Sequence, residues 1–492
     1  MTQAIIAIDQ GTTSSRAILF AKDGSILHSE QFEFPQIYPQ PGWVEHNPKD
    51  ILATTIQATT AVMHFATEQN IEVLSVGITN QRETTLVWNK YTGEPVYNAI
   101  VWQDRRTSEF CAQNQDYVES ITAKTGLLLD PYFSATKIAW ILDNVPDARA
   151  QAEVGELLFG TVDTFLIWHL TRGRVHATDT TNASRTNMFN IHTLDWDTEL
   201  LEWFGVPQRM LPEIKECADD YGVITHPELP LSLPINGVAG DQQAALFGQC
   251  CFAAGDFKST YGTGCFALLN TGKEPQISQH KLLTTVGYTL NGETYYALEG
   301  AIFTAGANVQ WLRDGIKVIA HARDTQALAE SLPYDHGVFM VPGFAGLGAP
   351  HWEADARAAL YGMTRGTTEA HLARAALEAV CFQTCDLLAA MSADSIPAHA
   401  VWVDGGMVAN DWLCQYLADM LNVTVQRPTI MESTALGAMY LAGLQVGWYE
   451  NQASLLQYKH IDRTFTPQLS SEQRDALLQK WHKAVSATLS FI

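Results

Sequence analysis

One pattern occurs twice, about half a chain apart, and it restricts the possible folds more than any other feature. Residues 4–8 are an apolar run dense in isoleucine, Gly11-Thr12-Thr13-Ser14 turns the chain, residues 16–21 return, and Lys22-Asp23-Gly24 turns it again. In the second half, Asp256–Tyr261 leads into Gly262-Thr263-Gly264, residues 265–270 return, and Thr271-Gly272 turns. Short apolar runs bounded by glycine and hydroxyl residues read as strand hairpins. Two such hairpins with small-residue tips predict a duplicated domain. A chain of 492 residues has room for it, at about 150 residues per domain.

Helical signals follow each hairpin. Asn47-Pro48 reads as an N-cap with proline at the first helical position, and Ile51, Thr55, Ala58, Val62 and Phe65 then share a face. Thr367 and Thr368 open a second stripe of Leu372, Ala375, Ala379 and Phe382. Apolar strands are expected at 73–79 and 400–403, helical texture from Asn410, and a last helix over 433–444 after a loop at Pro428. This is α/β texture, with a boundary expected near residue 248 that divides the chain into 1–248 and 249–492, packed around a cleft.

Charge narrows the partners. The formal net charge is −23, with 47% hydrophobic and 17% charged residues. So acidic a chain is a poor nonspecific ligand for nucleic acid or an anionic membrane, so any phosphate must be met by local groups or a metal. The N-terminus has no basic region or long apolar stretch, and no run of about 18 apolar residues occurs, so neither a signal peptide nor membrane insertion is expected. The eight cysteines, among them Cys111, Cys217 and the adjacent Cys250-Cys251, show no CxxC spacing and read as reduced thiols of a cytoplasmic protein. The fifteen histidines show no metal-ligand spacing.

Several turns combine residue types suited to phosphate chemistry. Asp9 ends a strand, so its carboxylate is aimed at the tip of a sheet, where it could hold Mg²⁺ directly or through water. The small residues after it let backbone N–H groups and hydroxyls approach an anion, and Arg16 adds a guanidinium. An ordinary capped hairpin turn uses the same residues. Gly262-Thr263-Gly264 supplies a matching loop from the other half, so the two could grip one polyphosphate. The P-loop pattern is absent.

Arg82-Glu83 follows a buried-type strand, where α/β sheets bind ligands, and offers a donor and an acceptor to a small polyol; a surface ion pair is the alternative. Asp241, in Gly240-Asp241-Gln242-Gln243, stands near a helix N-terminus and suits either a general base or a cap. Asp404-Gly405-Gly406 with Asn410 could let a flat base lie on backbone, or form a plain turn. Trp102 could wall a pocket or fill a core.

Taken together these segments resemble the FGGY carbohydrate kinases, and within them the members that act on glycerol. The matching stretches include 9–16 (DQGTTSSR), 80–84 (NQRET), 132–140 (YFSATKIAW), 181–186 (TNASRT), 239–247 (AGDQQAALF), 261–266 (YGTGCF), 305–314 (AGANVQWLRD), 404–410 (DGGMVAN) and 432–440 (ESTALGAMY). They run in order over nearly the whole chain.

The resemblance implies duplicated ribonuclease H-like, actin-like ATPase domains flanking a catalytic cleft. It implies transfer of the γ-phosphoryl group of Mg-ATP to the 3-hydroxyl of glycerol, giving sn-glycerol 3-phosphate at the entry to glycerol catabolism. Arg82, Glu83, Tyr132, Asp241 and Gln242 then hydrogen-bond glycerol, Trp102 and Phe266 wall its carbons, and Asp241 is the base. Thr12, Thr13, Ser14 and Arg16 form the first phosphate loop and Thr263 the second. Gly306, Gln310, Gly406 and Asn410 contact the nucleotide, and Asp9 is the Mg²⁺-associated carboxylate. A homodimer or homotetramer is the implied assembly. One departure concerns regulation: enteric members bind fructose 1,6-bisphosphate on a Gly/Lys/Arg loop, whereas residues 223–231 here hold no suitable basic residue. Two other readings compete: a kinase of a pentulose or larger polyol, and an actin-like nucleotide switch that phosphorylates nothing.

Overall fold

The computed structural model describes residues 2–491. The first apolar run becomes β1 (Thr2–Gln10), followed by β2 (Ser14–Phe20) and β3 (Ile26–Glu33) in an antiparallel meander. β4 (Ile71–Asn80) and β5 (Ile235–Gly240) add in parallel on the other side of β1, so the order is β5-β4-β1-β2-β3. The second half repeats this plan with β6 (Asp256–Tyr261), β7 (Cys265–Gly272), β9 (Glu293–Ile302), β10 (Ala400–Asp404) and β11 (Thr424–Pro428), to which β8 (Leu283–Leu290) and β12 (Ile461–Phe465) add an edge each. The order is β8-β9-β7-β6-β10-β11-β12, and the directions of the shared five strands match those of the first sheet. The expected duplication is therefore present strand by strand. Two local expectations are corrected: Thr271-Gly272 is not a turn, because β7 continues through Gly272, paired with Tyr296, and Pro428 is not in a loop but ends β11, paired with Ile461.

A helix covers each sheet at the same point of the plan. Pro48–Glu68 starts where Asn47 accepts a hydrogen bond from the Lys49 amide at 3.1 Å, and it buries Ile51, Thr55, Ala58 and Val62. Phe65 is only half-buried and stacks on His28, 4.1 Å between ring centroids. Glu369–Asp394 starts at Thr368 and fills the second core with Leu377, Phe382 and Leu387. This helix is long and apolar enough to cross a membrane by length and composition, yet 83% of its apolar window is buried inside the protein. All eight cysteines are buried and free.

The two halves interlock. Helix Ser433–Gln445, from the second half, lies on the first sheet, where Leu436, Met439 and Leu441 join Ile5, Ala7, Ile18 and Phe20 in one core. It also crosses helix Asp241–Gly248. Glycine permits both approaches: a Cβ on Gly437 would stand 1.8 Å from the Ala244 carbonyl oxygen, and one on Gly77 would stand 2.2 Å from that of Ala438. Helix Asp241–Gly248 is thereby held between the two halves, with the Asp241 side chain one-third exposed.

Candidate active site

Antiparallel pairing of β1 with β2 sets Asp9 opposite Arg16. Arg16 Nη2 donates to Asp9 Oδ2 at 3.0 Å and also to Glu432, at the start of helix Ser433–Gln445. Burial pushes the Asp9 carboxyl above its ordinary range, and the Arg16 guanidinium opposes that rise. Between these residues the loop closes by a hydrogen bond from the Gly11 amide to the Ser14 carbonyl, 2.9 Å. Thr13 is exposed at its tip, and Thr12 Oγ1 accepts from the Trp102 indole at 3.0 Å.

β4 ends in a turn where Glu83 takes the left-handed backbone conformation, φ 60°, which is strained for a residue with a side chain. Arg82 and Glu83 are both buried rather than on the surface, and their mutual contact is a loose one, with closest charged atoms 3.8 Å apart. Arg82 instead binds Glu299 of β9 through both guanidinium nitrogens, at 2.5 and 2.9 Å, and its Nε lies 3.1 Å from Asp241 Oδ1. Glu83 accepts from Arg185 Nε at 2.6 Å, and Arg185 also reaches Glu299 at 3.0 Å. Burial alone would raise the Glu299 carboxyl, but the Arg185 and Arg82 guanidiniums hold it down at about 2. For Glu83, burial outweighs the same guanidiniums and its carboxyl sits above the ordinary value. A charge left unpaired in such a place would be strongly unfavourable, so the four side chains stabilise one another as a lattice.

Asp241 is the first residue of its helix and the most open carboxylate of this group, with its side chain one-third exposed (33%). The cap position is Gly240, and Asp241 Oδ1 accepts from the Gln242 amide of the first turn at 2.7 Å. Beside it stands an aromatic corner: the Trp102 ring lies edge-on to Tyr132 (5.8 Å) and to Phe266 (6.1 Å). Burial raises the Tyr132 hydroxyl, which stays protonated and available as a donor. Phe266 comes from β7 of the second half, so both halves build the wall.

The second loop is bound to the helix Gly306–Gln310. The Gly306 amide donates to the Gly262 carbonyl (2.9 Å) and the Ala305 amide to the Thr263 carbonyl (3.0 Å). Thr263 itself is exposed, as is Gln310. Gly406 lines a cleft of about 430 Å³ together with Gly405, Ala409, Arg427, Met431 and Glu432. Glu432 thus joins this cleft to Arg16. Asn410 is not on the lining; its side chain caps helix Asp411–Leu421 by accepting from the Leu413 amide at 3.1 Å.

The structure therefore gathers Arg82, Glu83, Tyr132, Asp241, Gln242, Trp102 and Phe266 on one side, and Asp9, Thr12, Thr13, Ser14 and Arg16 beside them. Residue types in isolation missed Arg185, Glu299 and Glu432, as well as Lys258, which donates to the Gln242 side chain at 2.6 Å, and Lys137, which donates to the Tyr132 carbonyl at 2.7 Å. Glu299 carried one usable signal, a lone charge inside the apolar strand Glu293–Ile302.

Family models agree with this architecture. Residues 4–248 match the N-terminal domain, and residues 257–446 the C-terminal domain, of the FGGY family of carbohydrate kinases. The chain belongs to the FGGY family. Among the FGGY relatives, a glycerol kinase of Rhodospirillum centenum is 56% identical over 99% of this chain and 98% of its own length. One of a Marinomonas species is 54% identical over 99% of both. Among solved structures, Plasmodium falciparum glycerol kinase with ADP superposes with a TM-score of 0.95 at 36% identity, covering 99% of this chain and 98% of its own.

Proposed function

We infer that this FGGY kinase transfers the γ-phosphoryl group of ATP to glycerol, giving sn-glycerol 3-phosphate and ADP. The similarity to glycerol kinases along the entire chain carries the reading, and the charged, hydrogen-bonded residues gathered near Trp102 and Phe266 support it. Every hydroxyl of a buried polyol needs a partner, and Arg82, Glu83, Tyr132, Asp241 and Gln242 supply charged and neutral ones.

In the proposed reaction the 3-hydroxyl oxygen of glycerol attacks the γ-phosphorus, its proton passes to the Asp241 carboxylate, and the bond to the ADP oxygen breaks in line. Asp241 suits this role because its side chain is partly exposed and held by Arg82 at 3.1 Å. The phosphate loops with Thr12, Thr13, Ser14, Arg16 and Thr263 would bind the polyphosphate, and Gly306, Gln310, Gly406 and Asn410 the rest of the nucleotide. Phosphoryl transfer depends on such positioning and charge stabilisation. The aromatic wall excludes water from the reacting atoms.

Mg²⁺ fits the donors present. Among the described residues no cluster of three or more carboxylate, histidine or cysteine side chains could cage an ion. Mg²⁺ needs none, since it keeps waters and substrate phosphates around one or two carboxylates. Asp9, beside the phosphate loop, would hold it, and the ion would neutralise charge on the phosphate oxygens. Division of labour between residues 1–248 (substrate and first phosphate loop) and 249–492 (nucleotide), a cytoplasmic location, and assembly as a homodimer or homotetramer belong to the same proposal; sedimentation velocity tests the assembly.

The deciding experiment is ADP release with Mg-ATP, with and without glycerol, beside larger polyols and pentuloses. Release that rises by orders of magnitude with glycerol, with glycerol 3-phosphate formed in step, is expected. Stimulation by a larger sugar alone would overturn the substrate, and release indifferent to every polyol would indicate a nucleotide switch.

A further inference from the structure

Lys258 lies on β6, fully buried, behind the helix that begins at Asp241. Its Nζ donates to the Gln242 side-chain oxygen at 2.6 Å and to Thr260 Oγ1 at 3.0 Å. Among the described residues it has no carboxylate within ion-pair distance, although Asp404 and Asp241 are near enough for their charges to be felt. Burial lowers its pKa against those two carboxylates. A cation buried without a direct counter-ion is costly, and two neutral acceptors do not offset that cost. The contact also joins the two domains, since Gln242 belongs to helix Asp241–Gly248 and Lys258 to the second sheet.

The chemistry of the contact is one-sided. An ammonium has donors and no acceptor, whereas a glutamine amide has an acceptor oxygen on one side and a donor nitrogen on the other. Turning the amide over exchanges the two with almost no change in shape. A donor-only partner removes that choice, because only the oxygen can face it. We propose that Lys258 is a positioning residue that locks the Gln242 amide with its nitrogen toward the substrate, so that Gln242 reads a substrate hydroxyl as a hydrogen-bond acceptor. That hydroxyl keeps its own proton free for a carboxylate such as Glu83 or Asp241. The inference rests on the reading of Gln242 as a glycerol contact.

Glycerol and ATP KM, with kcat, measured for Gln242→Ala, Lys258→Met, the double variant and Gln242→Glu test it. Losing one neutral hydrogen bond to a bound hydroxyl raises KM roughly three- to tenfold. The expected result is such a rise in glycerol KM for Gln242→Ala and a similar one for Lys258→Met, with ATP KM little changed. The double variant should be no worse than the worse single one, because both remove the same interaction. Gln242→Glu keeps a partner for Lys258 but has no donor, so its glycerol KM should rise at least as far as that of Gln242→Ala.

A wild-type glycerol KM in Lys258→Met, or effects that multiply in the double variant, would overturn the proposal. If Lys258→Met does not fold, Gln242→Glu decides, and a wild-type glycerol KM there overturns it. An unchanged glycerol KM in Gln242→Ala would instead remove Gln242 from the glycerol site, a separate failure of the underlying reading.

Discussion

Glu299, in the middle of a strand of the second domain, holds Arg82 of the first domain with both carboxylate oxygens. The guanidinium that faces Asp241 is therefore aimed from across the domain boundary. Glu299→Gln leaves two buried arginines short of one charge, and breaking a buried pair of this kind costs about 3–5 kcal/mol. Thermal unfolding should move down by a corresponding margin. The carboxyl is held at about 2 against 4.5 when unfolded, so its contribution is complete above pH 4.5 and lost as pH falls toward 2. The variant should lack that part of the acid sensitivity; equal acid profiles would refute the assignment.

Asp241→Asn keeps the shape and an acceptor oxygen for Arg82 Nε. Glycerol KM should stay close to wild type while kcat falls by roughly 10²–10⁴, the usual contribution of a positioned base. Steady-state kinetics decide it, and near wild-type turnover would eliminate Asp241 as the base.

Arg82→Ala removes the residue that joins Asp241 to Glu299. Glycerol KM should rise clearly more than ATP KM. An equal effect on both substrates would argue that Arg82 acts on domain packing rather than on the polyol.

Gly437→Ala places a methyl group against backbone, 1.8 Å from the Ala244 carbonyl oxygen, where no side-chain rotation gives relief. The crossing helices must separate, at a cost of about 1–3 kcal/mol or more. Because one of them begins at Asp241, calorimetry should show a lower Tm and kinetics a lower kcat. A variant as stable as wild type would mean that the helices can separate freely.

Lys137 is buried, with its ammonium on the Tyr132 carbonyl at 2.7 Å, and burial lowers its pKa to about 7. The unfolded chain keeps this proton to about 10.5, so between those values unfolding takes up a proton and stability rises with pH. The stability of wild type relative to Lys137→Met should therefore grow in favour of wild type as pH rises from 7 to 9, by up to about 1.4 kcal/mol per pH unit. A difference that stays flat with pH would count against the shifted lysine.

Much of the architecture was legible because its signals are local. The two hairpins announce themselves by apolar runs and small-residue tips. Asn47, Thr368 and Asn410 each stand at the helix start that their residue type suggests. Asp241 was readable as the head of a helix for the same reason. For the adjacent Arg82 and Glu83 the sequence left a surface pair open, whereas both are buried and the turn at Glu83 sends their closest hydrogen bonds to Glu299 and Arg185.

Strand period, capping and turn chemistry act over a few residues, so the sequence alone was enough to determine the duplicated α/β plan and the placing of hydroxyls, Asp9 and Asp241 at strand and helix ends. Which buried charge meets which is another matter. Arg82 and Glu299 lie 217 residues apart, Arg16 and Glu432 lie 416 apart, and helix Ser433–Gln445 completes the core of a sheet whose first strand begins at Thr2. No local periodicity encodes such partners, since they are selected by which surfaces come together when both cores bury their apolar area at once. The tertiary structure alone decided that Glu299 of the second half would hold Arg82 and Arg185 of the first, because burial of charge is tolerated only where folding brings a partner to it.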